Sequence, residues 1–214
     1  MYTSGFFISC AAVAVISYLL GSLNFGVILS KAMRDDDVRK YGSGNAGMTN
    51  VLRVYGKKLA ALTTIGDFGK SVAAIFAARL LFELCGYPAI YAGYVAGFFA
   101  LLGHLFPVYF GFRGGKGALT VLGLMLMINP IVFIIICAVC IPIAFFTRIV
   151  SLASVTGAAA FPALVFIVRA VQGRPAVFET VFAALMGAIV ILVHRDNIKR
   201  LLNGTENKFG KNNP

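Results

Sequence analysis

The chain has 214 residues, 59% of them hydrophobic, with a mean hydropathy of +0.88 and 13% charged residues. A soluble domain carries roughly 25% charged residues, so a soluble globular fold is excluded. The formal charge of +11 first suggests nucleic acid. In a membrane chain the same excess reads as positive loops held in the cytoplasm, and no nucleic-acid partner is expected.

Apolar blocks run over 5–30, 59–82, 87–110, 118–146, 150–168 and 176–193, most of them near the roughly 20 residues that cross a hydrocarbon core as a helix. The first has no Lys or Arg before Lys31 and is expected to be a spanning helix entering from outside, not a leader peptide. Segment 31–58 is long, basic and glycine-rich. Within it, Ser43-Gly-Asn45-Ala-Gly47-Met-Thr49-Asn50-Val-Leu-Arg53 is a glycine-punctuated loop running into a helical pattern. Backbone N–H groups ahead of a helix cradle anions, and Thr49 and Arg53 share a helix face. Hydroxyl, amide and guanidinium groups in this arrangement suit phosphate oxygens; the bland alternative is a flexible basic loop. A formal GxGxxG over 42–47 has no preceding strand and is not a dinucleotide motif.

In the second block Asp67 and Lys70 lie three apart. An isolated charge at that depth costs about 2.5–3.5 kcal/mol, so they read as a pair, either structural or functional. The third block leads into Gly103-His104-Leu-Phe-Pro107 and then Arg113-Gly114-Gly115-Lys116-Gly117. A lysine framed by glycines at a helix start is well placed for a phosphate. The motif is not a Walker A loop, since Gly117 follows the lysine where Ser or Thr is required. His104 reads either as a ring bonded to a nearby carbonyl or as a catalytic group.

The 118–146 block, about 29 residues, is interrupted at Asn129-Pro130, a turn signal. If it crosses twice, 15 of the 19 Lys and Arg residues lie on one side, including Arg148 and the tail residues Arg195, Lys199, Arg200, Lys208 and Lys211, which satisfies the positive-inside rule. That parity predicts an all-α polytopic membrane bundle of seven transmembrane helices, N-terminus outside and C-terminus cytoplasmic, forming a single domain over 1–214. Only Arg169 and Arg174 are then misplaced. Ser151 and Ser154 stand at a helix start, as caps or as phosphate ligands. Cys10, Cys85, Cys137 and Cys140 read as small buried packing residues; no metal site and no cofactor is expected. In the tail, His194-Arg195-Asp-Asn197-Ile-Lys-Arg200 places His194 and Asn197 on one face if the last helix continues, with an apolar stripe suited to the headgroup level.

Three motifs carry a resemblance. SGNAGMTNVLR, GHLFPVYFGFRGGKG and HRDNIKRLLNGTENK resemble, in order and spacing over nearly the whole chain, the patterns of the acyl-phosphate:glycerol-3-phosphate acyltransferase (PlsY) family of bacterial membranes. Met48 stands where alanine is usual and Arg113 where lysine is common. The resemblance implies seven helices and transfer of an acyl group from fatty acyl phosphate to the 1-hydroxyl of sn-glycerol 3-phosphate, giving lysophosphatidate and phosphate. It implies an inner-membrane enzyme with a cytoplasmic site, its donor supplied by a soluble phosphate acyltransferase. Neither His104 nor His194 is followed by Asp at the spacing of thioester-using acyltransferases. The expected phosphate ligands are Ser43, Asn45, Thr49, Asn50, Arg53, Gly114, Gly115, Ser151 and Ser154. Lys116, Asn197 and His194 are the expected catalytic groups, with His194 or the donor's own phosphate accepting the hydroxyl proton. The competing class is a transporter or flippase for a phosphorylated anion, disfavoured because no internal repeat is visible.

Overall fold

The computed structural model describes residues 4–209, which form ten α-helices and no strand; Lys211 of the basic tail lies outside that range. The chain divides into two compact units, Met1–Ile128 and Asn129–Pro214.

The first unit contains α1 (Ser4–Gly21), α2 (Phe25–Arg34), α3 (Met48–Tyr55), α4 (Lys57–Leu84), α5 (Ala89–Leu105) and α6 (Ala118–Ile128). Small residues let α1 approach α5: a side chain at Gly21 would strike the Ala100 carbonyl, and one at Gly103 the Tyr18 carbonyl. In lipid such backbone proximity replaces the hydrophobic drive between helices. The first apolar block is broken at residues 22–24, between α1 and α2. A broken helix in an apolar setting must find partners for its freed backbone groups. Lys70 Nζ donates to Leu23 O at 2.8 Å and Asp67 Oδ1 accepts from Phe25 N at 3.3 Å. The ammonium thus serves a carbonyl and the carboxylate an N–H at the start of α2, each matching the sign of the local helix end.

Segment 31–58 is not a flexible loop. Val38, Val51, Leu59 and Ala60 form a small buried core covered by Met48, Leu52, Val54 and Tyr55. A 3₁₀ turn at Val38–Lys40 precedes α3. Burial of Val38 in this core fixes the polar 35–47 stretch against α3 and α4.

Helix α6 ends at Ile128, and α7 (Pro130–Thr147) starts the second unit after Asn129. The break falls at the expected position and carries a helix cap: Asn129 Oδ1 accepts from Val132 N at 3.3 Å, and Pro130 sits where a helix has no use for an N–H. Within the first unit, Arg79 Nη2 donates to Met127 O at 2.7 Å, serving a carbonyl left over at the end of α6. The second unit continues with α8 (Val150–Val171), α9 (Val177–Val193) and α10 (Arg195–Leu202). Arg169, anomalous by charge placement, is neutralised by Glu179 at 2.5 Å and Gln172 at 3.0 Å. Cys140 packs α7 on α8, donating to Ala153 O at 3.2 Å. Cys85, expected in a buried position, is exposed at the end of α4.

By length and composition five segments suffice to cross a membrane: Ser4–Arg34, Lys57–Leu84, Ala89–Phe110, Pro130–Thr147 and Val150–Val171. A sixth is reached if α9 and α10, bent by 65°, count as one. The remaining apolar helix, α6, has 11 residues, about 16 Å of helix, well short of a hydrocarbon core.

Candidate functional site

The first unit gathers two of the three motifs. Arg39 carries the link. Its guanidinium is paired with Asp37 at 2.7 Å, and its Nη1 donates to Phe110 O at 2.7 Å and Arg113 O at 2.8 Å. Two cations lie near the Phe110 ring, Lys31 Nζ 5.9 Å and Arg39 Cζ 6.0 Å from its centroid. The glycine loop before α3 and the loop before α6 are therefore fastened at the same end of this unit.

Asn50 organises the first loop. It is buried, its Nδ2 donates to the carbonyls of Val38 (3.1 Å), Tyr41 (3.0 Å) and Asn45 (2.9 Å), and its Oδ1 accepts from Ser43 N (2.9 Å). The expected phosphate ligand is in this structure a clamp holding the loop that carries Ser43 and Asn45. Asn45 Oδ1 accepts from Gly47 N at 2.9 Å, which turns the chain into α3. Gly47 is the N-cap and supplies no side-chain cap; Asn50 N and Val51 N donate to its carbonyl at 3.0 and 3.2 Å, Ser43 is exposed and Thr49 half-buried, and a helix start of this kind suits an anion. Arg53 lies one turn on from Thr49 in α3.

The loop before α6 is built differently from expectation. Gly114 N donates to Leu105 O and Gly115 N to His104 O, both at 3.1 Å. These N–H groups, expected to frame an anion, are committed to the end of α5. The glycines are required by close approach: a Cβ at Gly114 would meet the His104 carbonyl and one at Gly115 the His104 ring. Lys116, half-buried, follows directly. Among the described residues, the His104 ring bonds to no carbonyl. Its Nδ1 lies 2.9 Å from Lys70 Nζ and 3.7 Å from Asp67 Oδ1, and Lys70 Nζ lies 2.9 Å from Asp67 Oδ1.

Electrostatics at the rim follow from local pairs. Hydrogen bonds from Tyr41 and Lys40 hold the Asp36 carboxyl down at about 2, and the Arg39 guanidinium lowers that of Asp37.

The second unit holds the third motif. The helix does not continue straight through it: α9 ends and α10 begins at His194, with the 65° bend there. His194 Nδ1 lies 2.7 Å from Val190 O. In the neutral ring a nitrogen facing a carbonyl carries the proton, which makes Nε2 the acceptor nitrogen. Asn197 Nδ2 donates to Glu206 Oε1 and Arg200 Nε to Glu206 Oε2, each at 2.8 Å. Glu206, buried, lies within the HRDNIKRLLNGTENK motif and is the organiser here, a role the spacing of the motif does not reveal. Phe209 N donates to Arg148 O at 2.9 Å, which brings the tail to the α7–α8 turn. Neither serine there caps α8: the N-cap is Ile149, Ser154 Oγ donates back to Val150 O at 3.0 Å, and the buried Ser151 Oγ has no partner among the described residues.

Residues 11–204 match the family model for glycerol-3-phosphate acyltransferase. A glycerol-3-phosphate acyltransferase of Clostridioides difficile is 42% identical over 93% of this chain and 95% of its own length. One from Neisseria meningitidis serogroup B is 46% identical over 93% and 96%. Among solved structures, PlsY, an integral membrane glycerol 3-phosphate acyltransferase in its glycerol 3-phosphate form, superposes with a TM-score of 0.80 at 37% identity, covering 94% of this chain and 96% of that one. Its lysophosphatidic acid form gives 0.78 at 36%.

Proposed function

The chain belongs to the glycerol-3-phosphate acyltransferase family, and from that premise we propose that it transfers an acyl group from fatty acyl phosphate to the 1-hydroxyl of sn-glycerol 3-phosphate, releasing lysophosphatidate and phosphate. The observation that carries this reading is the Arg39 tie, which fixes the Ser43–Arg53 loop and the Lys116 loop to each other. Both then face a ligand whose phosphate needs cations, hydroxyls and helix-start amides together.

The chemistry needs positioning more than a covalent intermediate. An acyl phosphate is already activated: the hydroxyl oxygen attacks the acyl carbon, the carbon–oxygen bond to phosphate breaks, and phosphate leaves with the electron pair. Two phosphates brought side by side repel each other. Lys116 and Arg53, with Ser43, Asn45 and Thr49, offset that repulsion and align the hydroxyl, the electrostatic and proximity terms that usually dominate such rates. Asn50, Gly114 and Gly115 hold these groups in place. In the second unit the proposed ligands are Asn197 and Ser151; Ser154 stands one turn further along α8, and Glu206 orients Asn197. The hydroxyl proton has two acceptors, Nε2 of His194 and the departing phosphate.

The whole chain, 1–214, serves as one acyltransferase domain with seven crossings, α6 making the short seventh, and with N-terminus out and tail in. The charge distribution supports this orientation: 15 of 19 Lys and Arg residues fall in the segments assigned to the cytoplasm. The site then meets a water-soluble acceptor, a donor made by a soluble phosphate acyltransferase, and the inner leaflet of the bacterial plasma membrane that takes the product. The test is purified protein in detergent with acyl phosphate and labelled glycerol 3-phosphate. Labelled lysophosphatidate is expected; no product, with tracer uptake into protein-loaded vesicles instead, would replace the enzyme with a transporter.

A further inference from the structure

Three ionisable side chains, Asp67, Lys70 and His104, lie in the first unit with side-chain exposures of 1%, 2% and 3%. A buried ion pair is weak evidence for stability, since apolar residues of the same volume often serve as well. The helix break at 22–24 accounts for Asp67 and Lys70, which serve Phe25 N and Leu23 O. It does not account for His104, which takes the third direction of the Lys70 ammonium.

The far side of that ring gives the reason. Donation from Lys70 makes Nδ1 the acceptor and leaves the ring proton on Nε2. Nε2 is the nearest atom to the place a Gly115 side chain would occupy, and the His104 carbonyl accepts from Gly115 N at 3.1 Å. His104 therefore holds Gly115 from two sides, one residue before Lys116, while its own ring is fixed by an ammonium that is itself fixed by Asp67 and Leu23 O. Continuous contacts run from the α1–α2 break through α4 and α5 to the glycine loop.

We propose that His104 is a positioning residue for acyl transfer, setting the Lys116 loop through Gly115, with the Asp67–Lys70 pair as its anchor. The proposal rests on the function proposed above.

The test uses the full-length protein in detergent, reading kcat and KM for glycerol 3-phosphate together with the unfolding midpoint. His104→Asn keeps an acceptor for Lys70 but withdraws the ring from Gly115. It is expected to lower kcat/KM about 10- to 100-fold, the scale of a small misplacement remote from the chemistry, with the midpoint near wild type. Gly115→Ala puts a methyl where Nε2 stands and is expected to lose activity similarly. In the double variant the methyl takes the vacated space, so activity should exceed that of Gly115→Ala alone. Wild-type kcat/KM in His104→Asn, or losses that multiply in the double variant, would overturn the proposal. If His104→Asn does not fold, Gly115→Ala decides: a folded protein with undiminished kcat/KM overturns it, and a folded protein with reduced kcat/KM upholds it. A wild-type protein that makes no lysophosphatidate would instead remove the function on which the proposal rests.

Discussion

Arg39 and Arg113, 74 residues apart in sequence, are joined by a 2.8 Å hydrogen bond from guanidinium Nη1 to carbonyl oxygen. The same nitrogen reaches Phe110 O, while the other edge of the group grips Asp37. A planar fork reaches partners spread along both of its edges; an ammonium donates from one atom and cannot span them. Arg39→Lys is therefore expected to keep the charge and lose the tie. Activity should fall about 10- to 100-fold, and stability by about 2 kcal/mol, the scale of hydrogen bonds made by a charged group. Steady-state kinetics and thermal unfolding check the two effects on one preparation.

Asn50 makes four hydrogen bonds within its loop. Asn50→Ala is expected to destabilise by about 2–4 kcal/mol, because buried carbonyls are left without donors. Asn50→Asp, almost identical in shape, should be worse, since it turns an anionic oxygen toward carbonyls. Unfolding midpoints rank the three proteins, and the order wild type, Ala, Asp is the expected one.

The carboxyls beside this loop make acid sensitivity predictable in sign. Asp36 and Asp37 have folded values below the ordinary one, about 3.9 for an unfolded aspartate. A depressed folded value contributes stability that is present above the unfolded value and is lost as pH falls through the folded one. Unfolding midpoints should be insensitive to these groups from pH 7 to about 5 and decline below about 4. Asp37→Asn should flatten part of that decline.

Much of the architecture could be read from the sequence because it rests on local signals. The apolar blocks, the Asn129-Pro130 interruption and the helix at Thr49–Arg53 are each written in a few adjacent residues. What could not be read depends on partners far away in the chain. The break at residues 22–24 has no proline and falls inside an apolar run; it is sustained by Asp67 and Lys70 from another helix. Gly114 and Gly115 look like an open anion cradle until the end of α5 is seen to accept from their N–H groups. His194 and Asn197 fit one straight helix by spacing, whereas a 65° bend starts between α9 and α10. Of the candidate ligands in the first unit, Ser43 is exposed and Asn45, Thr49, Arg53 and Lys116 are half-buried, while Asn50 has become scaffolding.

In the second unit, Glu206 joins Asn197 to Arg200. Glu206→Gln retains an acceptor for Asn197 and loses the charge facing Arg200, so activity should drop about tenfold, and Glu206→Ala should drop it further. His194→Ala separates the two proton acceptors. A loss of about 100-fold or more is the general-base signature, and a loss below about tenfold assigns the proton to the departing phosphate. Initial rates at saturating acyl phosphate distinguish these outcomes.

The two loops fastened by Arg39 are proposed to hold the acceptor's phosphate. Glycerol 3-phosphate protection against thermal unfolding, compared between wild type and Lys116→Ala, tests it without any turnover. Saturable protection of the wild type is expected, with an affinity weakened about 100-fold or more in the variant and the same midpoint when no ligand is added. Equal protection of both proteins would contradict it.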